Sequence, residues 1–210
     1  MGKVRVAAFG VSIDGFGAGP DQSLEHPLGK RGQELMSWFF PTRAFRSMIG
    51  QDGGTEDRFA SAAAEGFGAF ILGRNMFGPA GDDWGGPDWK GWWGDDPPYH
   101  APTFILTHHA RAPIVMEGGT TFHFVTDGIE AALAQAEAAA GDLDVKIGGG
   151  VSTVRQYLLA GAIDEMHLAL SPVVLGRGES LFADIDLPSL GYRVTEVVPT
   201  ELATHLVLTR

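Results

Sequence analysis

The chain has 210 residues, which suits one domain (residues 1–210) with a sizeable core. Its formal net charge of −11 argues against nucleic acid or an anionic membrane surface as a partner, and the lack of cysteine excludes disulfides and thiolate chemistry. Residues 1–3 lead directly into an apolar strand, and no apolar run could span a bilayer, so we expect a cytoplasmic globular protein.

Short apolar strands and amphipathic helices are predicted to alternate along the chain. Strands are predicted at residues 4–11, 69–72, 103–107, 122–125, 145–147, 166–170, 192–198 and 204–209. Helices are predicted at residues 32–39, at 129–140 with Thr126 and Asp127 as the cap, and at 152–160. The alternation predicts an α/β fold with a largely parallel sheet. The last two strands have no helix between them, which predicts an antiparallel edge or hairpin.

Residues 79–98 form a long insertion loop rich in Gly, Asp and Pro. It holds four tryptophans: Trp84, Trp89, Trp92 and Trp93. Because disordered segments are poor in aromatic residues, we expect this loop to be ordered. One interpretation is a lid whose indole rings stack on a planar ligand. The other is an irregular plug that shields a sheet edge or fills a subunit contact.

Three consecutive glycines, Gly148, Gly149 and Gly150, follow the strand at 145–147 and precede a helix that begins near Ser152. A ligand can touch the backbone there because no side chains intervene. The first N–H groups of the helix and the positive end of its dipole point to the same place, which favours an anion and a pyrophosphate in particular. The motif is neither a Walker A loop nor G-x-G-x-x-G, so a tightly packed strand-to-helix turn is the alternative.

Polar residues follow two other predicted strands. Gly73-Arg74-Asn75 comes after the strand at 69–72, and Thr107-His108-His109 comes at the end of the strand at 103–107. The Arg74 guanidinium is planar and presents several N–H donors in a rigid geometry, which suits a phosphate monoester. The alternative is that Arg74 pairs with a surface carboxylate. Adjacent histidines point to opposite sides of an extended chain, so we expect no metal site. Ligands in open α/β sheets bind at the carboxyl ends of strands, so the three strand ends together predict one site.

These motifs occur in the order seen in the dihydrofolate reductase-like superfamily, which the sequence resembles. Ser12-Ile13-Asp14-Gly15 comes first, followed by Leu72-Gly73-Arg74, Leu106-Thr107-His108 and the triple glycine. Residues 147–182 resemble the reductase half of the bifunctional riboflavin-biosynthesis enzyme, and the whole chain is similar to stand-alone bacterial proteins of this superfamily. The resemblance implies a three-layer fold, a mixed, mostly parallel sheet with helices on both faces, an antiparallel carboxyl-terminal edge, and a homodimer.

The resemblance also implies NADPH as the cofactor. In the family the glycine turn holds the pyrophosphate, which here assigns Gly148, Gly149, Gly150, Val151, Ser152 and Thr153. The strand-end arginine and the Thr-His pair surround the 2′-phosphate, which assigns Gly73, Arg74, Asn75, Thr107 and His108. The nicotinamide end is assigned to Ala8, Phe16 and Gly17. No acidic residue directly follows these strands to take a ribose 2′-hydroxyl, which also favours NADPH over NADH.

Two carboxylates are candidates for the catalytic end. Dihydrofolate reductases place a carboxylate on the first helix, where this chain offers Glu34 with a longer spacing, and Asp14 lies in the Ser-x-Asp-Gly turn. The alternatives are a solvated helix residue for Glu34 and a turn-forming residue for Asp14. His167 alternates into the strand at 166–170 and is predicted to be a hydrogen-bonded sheet histidine.

The resemblance implies an NADPH-dependent oxidoreductase that transfers a hydride to a small heterocyclic, carbonyl or imine substrate. The best named candidate is a 5-amino-6-(5-phosphoribosylamino)uracil reductase-like activity of riboflavin biosynthesis. If the substrate carries a phosphoribosyl group, Arg43, Arg46 and Arg177 are candidates to bind it. A true dihydrofolate reductase and a non-catalytic NADP-binding protein are the alternatives.

Overall fold

The structure is a computed structural model that describes residues 2–55, 57–78, 86 and 88–210. These residues form β1 (Val4–Ser12), β2 (Phe16–Ala18), α1 (Arg43–Met48), α2 (Arg58–Ala62), β3 (Phe67–Gly73), α3 (Arg74–Phe77), β4 (Pro102–Leu106), β5 (Ile114–Val115), β6 (Thr121–Val125), α4 (Gly128–Ala140), β7 (Asp144–Gly149), α5 (Val151–Leu159), β8 (Glu165–Ser171), β9 (Glu179–Ser180), β10 (Arg193–Pro199) and β11 (Thr204–Thr209). Short 3₁₀ turns lie at Gly32–Met36 and Glu117–Gly119.

Nine of these strands form one sheet in the order β10-β11-β8-β1-β7-β3-β4-β6-β5. The strands β8, β1, β7, β3, β4 and β6 run parallel to one another, whereas β11 runs antiparallel to both β8 and β10. At the other edge β5 pairs antiparallel with β6. The predicted mixed, mostly parallel sheet with an antiparallel carboxyl-terminal edge is therefore confirmed.

Helices α4 and α5 cover one face of the sheet. Ala132, Ala136 and Ala140 of α4 are spaced four residues apart, so they share a face of the helix that is buried against β3, β4 and β7. Val154 and Leu158 of α5 are fully buried in the same cluster. Because the alanines are small, α4 can pack close to the strands.

The opposite face is covered by α1, α2 and the turn at Gly32–Met36. Trp38, Phe59 and Ala60 are buried there against Ala169 of β8. Helices on both faces of the sheet confirm the predicted three-layer arrangement. Within the described ranges, no helix combines the length and the apolar character needed to cross a membrane.

The helix predicted at 32–39 is only a 3₁₀ turn of five residues. Arg31, which precedes it, has a left-handed backbone (φ 61°) and caps no N–H group, so an α-helix lacks its start signal here. Asp127 does stand at the start of α4, but its side chain makes no capping hydrogen bond. In contrast, Thr42 and Asp57 cap α1 and α2, which the sequence patterns did not reveal.

Candidate active site

A cavity of about 660 Å³ opens at the carboxyl ends of the parallel strands. The ends of β7, β3 and β4 meet there because these strands are neighbours in the sheet. Every residue assigned to the cofactor except Phe16 lines this cavity: Ala8, Gly17, Gly73, Arg74, Asn75, Thr107, His108, Gly148, Gly149, Gly150, Val151, Ser152 and Thr153. Phe16 lies outside its wall, with its N–H donating to Ser12 Oγ (2.9 Å), and Phe9 of β1 lines the cavity instead.

The three consecutive glycines are required for three different reasons. A Cβ atom on Gly148 would overlap the Leu72 side chain, so this glycine allows β7 and β3 to pack closely. Gly149 has φ of 119°, a conformation that L-residues rarely adopt. Gly150 has an ordinary φ of −72°, and no protein atom lies within 4 Å of where its Cβ would be. Packing therefore explains Gly148 and backbone conformation explains Gly149, whereas the open space at Gly150 faces the cavity.

Helix α5 begins at this open space. Gly150 is its N-cap residue and offers no side chain to cap the first N–H groups, so these groups remain available to a ligand. Ser152 and Thr153 of the first turn line the cavity. A Cβ on Gly73 would overlap Thr153 Oγ1, so the end of β3 packs directly against this turn. The arrangement brings the triple glycine and the Arg74 strand end to one place.

The first strand has an irregularity beside the cavity. Its pairing with β8 shifts between Val6 and Phe9, and Ala8 takes a left-handed backbone conformation (φ 56°). The Ala8 N–H is not in the sheet ladder and donates instead to Nδ1 of His167 (3.1 Å). Nε2 of His167 lies 3.0 Å from Nδ1 of His205. A side chain thus replaces the missing backbone partner at the predicted nicotinamide end.

This hydrogen-bond chain determines the protonation of both imidazoles. Because His167 Nδ1 accepts from Ala8, the neutral ring carries its proton on Nε2 and donates it to His205 Nδ1. Phe59 stacks on both rings at 4.4 Å, and burial lowers the pKa of His167 to about 3. Burial also lowers the pKa of His205. The prediction of a hydrogen-bonded sheet histidine is confirmed, with the added finding that His167 supports a residue of the cavity wall.

Neither candidate catalytic carboxylate lines the cavity. The Asp14 carboxylate accepts the N–H groups of Leu175 (3.1 Å) and Gly176 (2.6 Å). A hydrogen bond from the Ser12 hydroxyl, and then those two N–H groups, lowers the pKa of Asp14. Glu34 is exposed and forms a bidentate ion pair with Arg31 (2.8 and 2.9 Å), which lowers the pKa of Glu34. The geometry favours the alternative given for each residue, a turn-forming Asp14 and a solvated Glu34.

These positions predict different outcomes for the two carboxylates. We expect Asp14→Ala to lower the melting temperature, because it removes the acceptor for two loop N–H groups. We expect Glu34→Gln to leave the melting temperature unchanged and to change turnover by no more than about twofold. Thermal unfolding and steady-state turnover of both variants provide the measurement. A loss of turnover in Glu34→Gln by a factor of a hundred or more would restore Glu34 as the acid.

Glu179 is the carboxylate that the sequence patterns did not indicate. Among the described residues it is the one carboxylate on the cavity wall, on β9 opposite Ala18 and near Ser152 and Gln156. Burial raises the pKa of Glu179. Its two-residue strand is too short to leave a periodic pattern, and only the pairing of β9 with β2 brings it to the cavity.

The insertion loop at 79–98 is described only in part, and Trp84 lies outside the described residues. The Trp89 indole N–H donates to the carbonyl of Phe77 (2.8 Å), and that of Trp92 donates to the carbonyl of Asn75 (3.4 Å). These two rings therefore pack on α3, while Trp93 lines the cavity. The two interpretations of the loop, a lid over a planar ligand and a plug at a sheet edge or subunit contact, both stay predictions.

The cavity also extends over the sheet face that carries α2. Its wall there includes Ala60, Ala63, Phe70 and Tyr99, and this part is called the α2 compartment below. Lys146 of β7 is the basic residue of this compartment. None of the candidate arginines for a phosphoribosyl group (Arg43, Arg46 and Arg177) is on the described wall.

The sheet order and the cavity at its strand ends define a three-layer α/β protein with a mostly parallel sheet and a candidate site at the carboxyl ends of its strands. The model of the RibD C-terminal domain matches residues 4–208, so the chain belongs to the RibD C-terminal domain family.

Known proteins share this fold at low sequence identity. A putative riboflavin biosynthesis protein from Shewanella sp. PV-4 superimposes with a TM-score of 0.60 and 24% identity, covering 100% of this chain and 99% of that one. The diaminohydroxyphosphoribosylaminopyrimidine deaminase/5-amino-6-(5-phosphoribosylamino)uracil reductase from Thermotoga maritima gives a TM-score of 0.53 and 13% identity, covering 99% of this chain and 56% of that one. This chain thus spans about half of the bifunctional protein.

One curated relative matches over a short segment. The uncharacterized protein YyaP from Bacillus subtilis (strain 168) is 40% identical over 42 residues, which cover 20% of this chain and 22% of YyaP. The segment therefore spans about a fifth of either protein.

Proposed function

We propose that this chain is an NADPH-dependent reductase that transfers a hydride to a small heterocyclic, carbonyl or imine compound. The 5-amino-6-(5-phosphoribosylamino)uracil reductase type of riboflavin biosynthesis is the proposed activity. Membership of the RibD C-terminal domain family and the shared fold with the Thermotoga protein support this class. The observation that carries the cofactor assignment is Gly150, whose missing side chain leaves open space at the start of α5.

The residues of the cavity fit a dinucleotide with an additional phosphate. N–H groups of the first turn of α5 would hold the pyrophosphate, and Arg74 with Thr107 and His108 would hold the 2′-phosphate. In a protein with a net charge of −11, Arg74 supplies the local positive charge that this end needs. NADPH, when bound, supplies the hydride.

The chain's own residues would orient the reactants and provide a proton. The His167 imidazole holds Ala8 in its unusual conformation, and Phe9 and Phe70 exclude water from the wall. Glu179 and Lys146 are the candidate proton donors. Burial raises the pKa of Glu179 and lowers that of Lys146 to about 8, so both move toward neutrality, where an acid is most effective.

Removing the Arg74 guanidinium tests the cofactor assignment. We expect Arg74→Ala to weaken NADPH binding by about 10- to 100-fold, because the 2′-phosphate loses a charge-assisted contact, and to leave NADH binding nearly unchanged. Fluorescence titration with both nucleotides provides the measurement, with Arg193→Ala, an exposed arginine of β10 outside the cavity wall, as the control. Equal losses for NADPH and NADH in Arg74→Ala would remove the assignment.

A non-catalytic NADP-binding protein is the second candidate, favoured by the position of Asp14 and Glu34 outside the cavity. Consumption of NADPH measured at 340 nm with the riboflavin intermediate and with dihydrofolate separates the possibilities. We expect turnover of the first compound. Tight NADPH binding without turnover of any acceptor would support the non-catalytic alternative, and turnover of dihydrofolate with inhibition by an antifolate would support a dihydrofolate reductase.

A cytoplasmic homodimer stays a prediction. Its expected contacts are an exposed sheet edge and the segment at 172–182. Val194 and Val197 are exposed on the edge strand β10, and Val174 is exposed in the segment. Light scattering after size-exclusion chromatography would measure the mass in solution.

A further inference from the structure

Lys146 is a cation inside an apolar part of the cavity. It lies on β7 between the buried residues Val145 and Ile147, so its side chain points to the other face of the sheet, toward α2. Its ammonium donates to the carbonyl of Ala63 (2.6 Å) and lies 5.4 Å from the centre of the Phe67 ring. One ammonium group has three donors, so this contact leaves donors for a ligand.

No carboxylate within the described part of the chain forms an ion pair with Lys146. In contrast to Lys146, the nearby Arg5 forms ion pairs with both Asp144 (3.0 Å) and Glu165 (3.1 Å). Burial, and then the charge of Arg5, lowers the pKa of Lys146 to about 8. The ammonium is half-buried, and its contacts in the structure are a carbonyl and an aromatic ring, so an anion would stabilise its charge further.

The position of Lys146 separates it from the proposed phosphate contacts. Phe70 is its partner on β3, and Arg74 follows four residues later, so the two basic groups lie more than about 10 Å apart along the strands. Gly148 is two residues beyond Lys146 on the same face of β7. Lys146 therefore lines the cavity before the glycine turn, on the sheet face that carries α2.

The surroundings of Lys146 suit a flat, mostly apolar body. Phe70 and Tyr99 line the compartment and contact each other edge to face with ring centres 5.2 Å apart. Ala60, Ala63 and Ala64 form the side contributed by α2 and the residues after it. Small alanines leave room for a ring, and the lysine is the polar group that would orient it.

We propose that Lys146 is a substrate-binding residue whose ammonium binds an anionic oxygen, a carboxylate or an ionised ring carbonyl, on a planar hydride acceptor. This inference rests on the proposed function in taking the α2 compartment as the acceptor end. The competing explanation is that Lys146 only caps the last carbonyls of α2, because Ala63 is the C-cap residue of that helix.

The first test measures the pKa of Lys146 in wild-type protein saturated with NADP⁺. Benzoate is the anionic probe, and benzamide is its neutral analogue. The chain has four lysines, and Lys3, Lys30 and Lys90 are exposed, so Lys→Arg variants at those three positions assign the ¹³Cε signals of a lysine-labelled sample. We expect benzoate to raise the pKa of Lys146 by about one unit or more and benzamide to leave it unchanged. An unchanged pKa of Lys146 in saturating benzoate would overturn the proposal.

A second test compares the affinities of the two probes by calorimetry. In the wild type we expect benzoate to bind about tenfold or more tightly than benzamide, and in Lys146→Met we expect this preference to be lost. If Lys146 only caps α2, Lys146→Met lowers the melting temperature and the preference, if any, is unchanged. NADPH affinity is measured on the same samples, so failure of the cofactor assignment and failure of the anion site give different results.

Discussion

Replacing Gly150 by alanine is expected to weaken NADPH binding by about 10- to 100-fold while the protein stays folded. The backbone of Gly150 has φ of −72°, and a Cβ there meets no protein atom within 4 Å. The added methyl group would instead occupy the space next to the first turn of α5, where the pyrophosphate is proposed to lie. Overpacking a close contact costs about 1–3 kcal/mol, which corresponds to the stated loss of affinity.

Gly141 provides the matched control for this experiment. It also has open space around it, but its φ is 62°, it follows α4, and it lies outside the cavity wall. Gly141→Ala should therefore cost about 1–3 kcal/mol of stability through backbone strain and leave NADPH affinity unchanged. Thermal unfolding and fluorescence titration of both variants test the pair. If Gly150→Ala binds NADPH as well as the wild type, the pyrophosphate does not lie at Gly150.

Acidification is expected to destabilise the protein well before its carboxylates titrate. In the unfolded chain His167 takes up a proton near pH 6.5, whereas in the folded protein it stays neutral until about pH 3. The unfolded state therefore binds more protons throughout this range, and the free energy of unfolding falls as the pH falls. Between pH 6.5 and 4.5 the loss from His167 alone is about 2 kcal/mol. Urea unfolding at several pH values measures it.

The charged groups around His167 support the predicted loss of stability at low pH. After burial itself, the charges of His205, Lys146, Arg5 and Arg58 lower the pKa of His167 further. The pKa of His205 is also lowered by burial, although Asp57 raises it in part. Both histidines therefore contribute stability that is present above about pH 6.5 and is lost as the pH falls. A free energy of unfolding that is the same at pH 4.5 and 7 would contradict this prediction.

Two substitutions separate the titration of His167 from its hydrogen bond. In His167→Asn, Oδ1 can accept the Ala8 N–H in place of Nδ1, so we expect a flatter pH profile and retained NADPH binding. His167→Leu also removes the titration, but it leaves the Ala8 N–H buried without an acceptor, which costs about 1–3 kcal/mol more at every pH. Equal stability of the two variants would show that the Ala8 contact contributes nothing.

Much of the site was predictable because its residues are clustered in short motifs at strand ends. The triple glycine, Arg74 and Thr107 each follow an apolar strand, and parallel strands bring their carboxyl ends to one edge. Phe16, assigned by resemblance, lies outside the cavity wall, whereas Phe9, which follows the backbone irregularity at Ala8, lines it. The helix predicted at 32–39 was shortened because apolar spacing alone does not supply a start signal.

The sequence by itself determined the strand and helix periodicity and the glycine turn, because these depend on residues close together in the chain. The order of strands and helices along the chain predicted the mixed sheet. Only the tertiary structure decided the contacts between residues far apart. The pairing of His167 with His205, the position of Lys146 over Ala63 and the approach of Glu179 to α5 all depend on strand order and on the packing of α2. The triple glycine shows both contributions: its composition indicated a close approach, and the packing around it showed that Gly150 alone leaves space for a ligand.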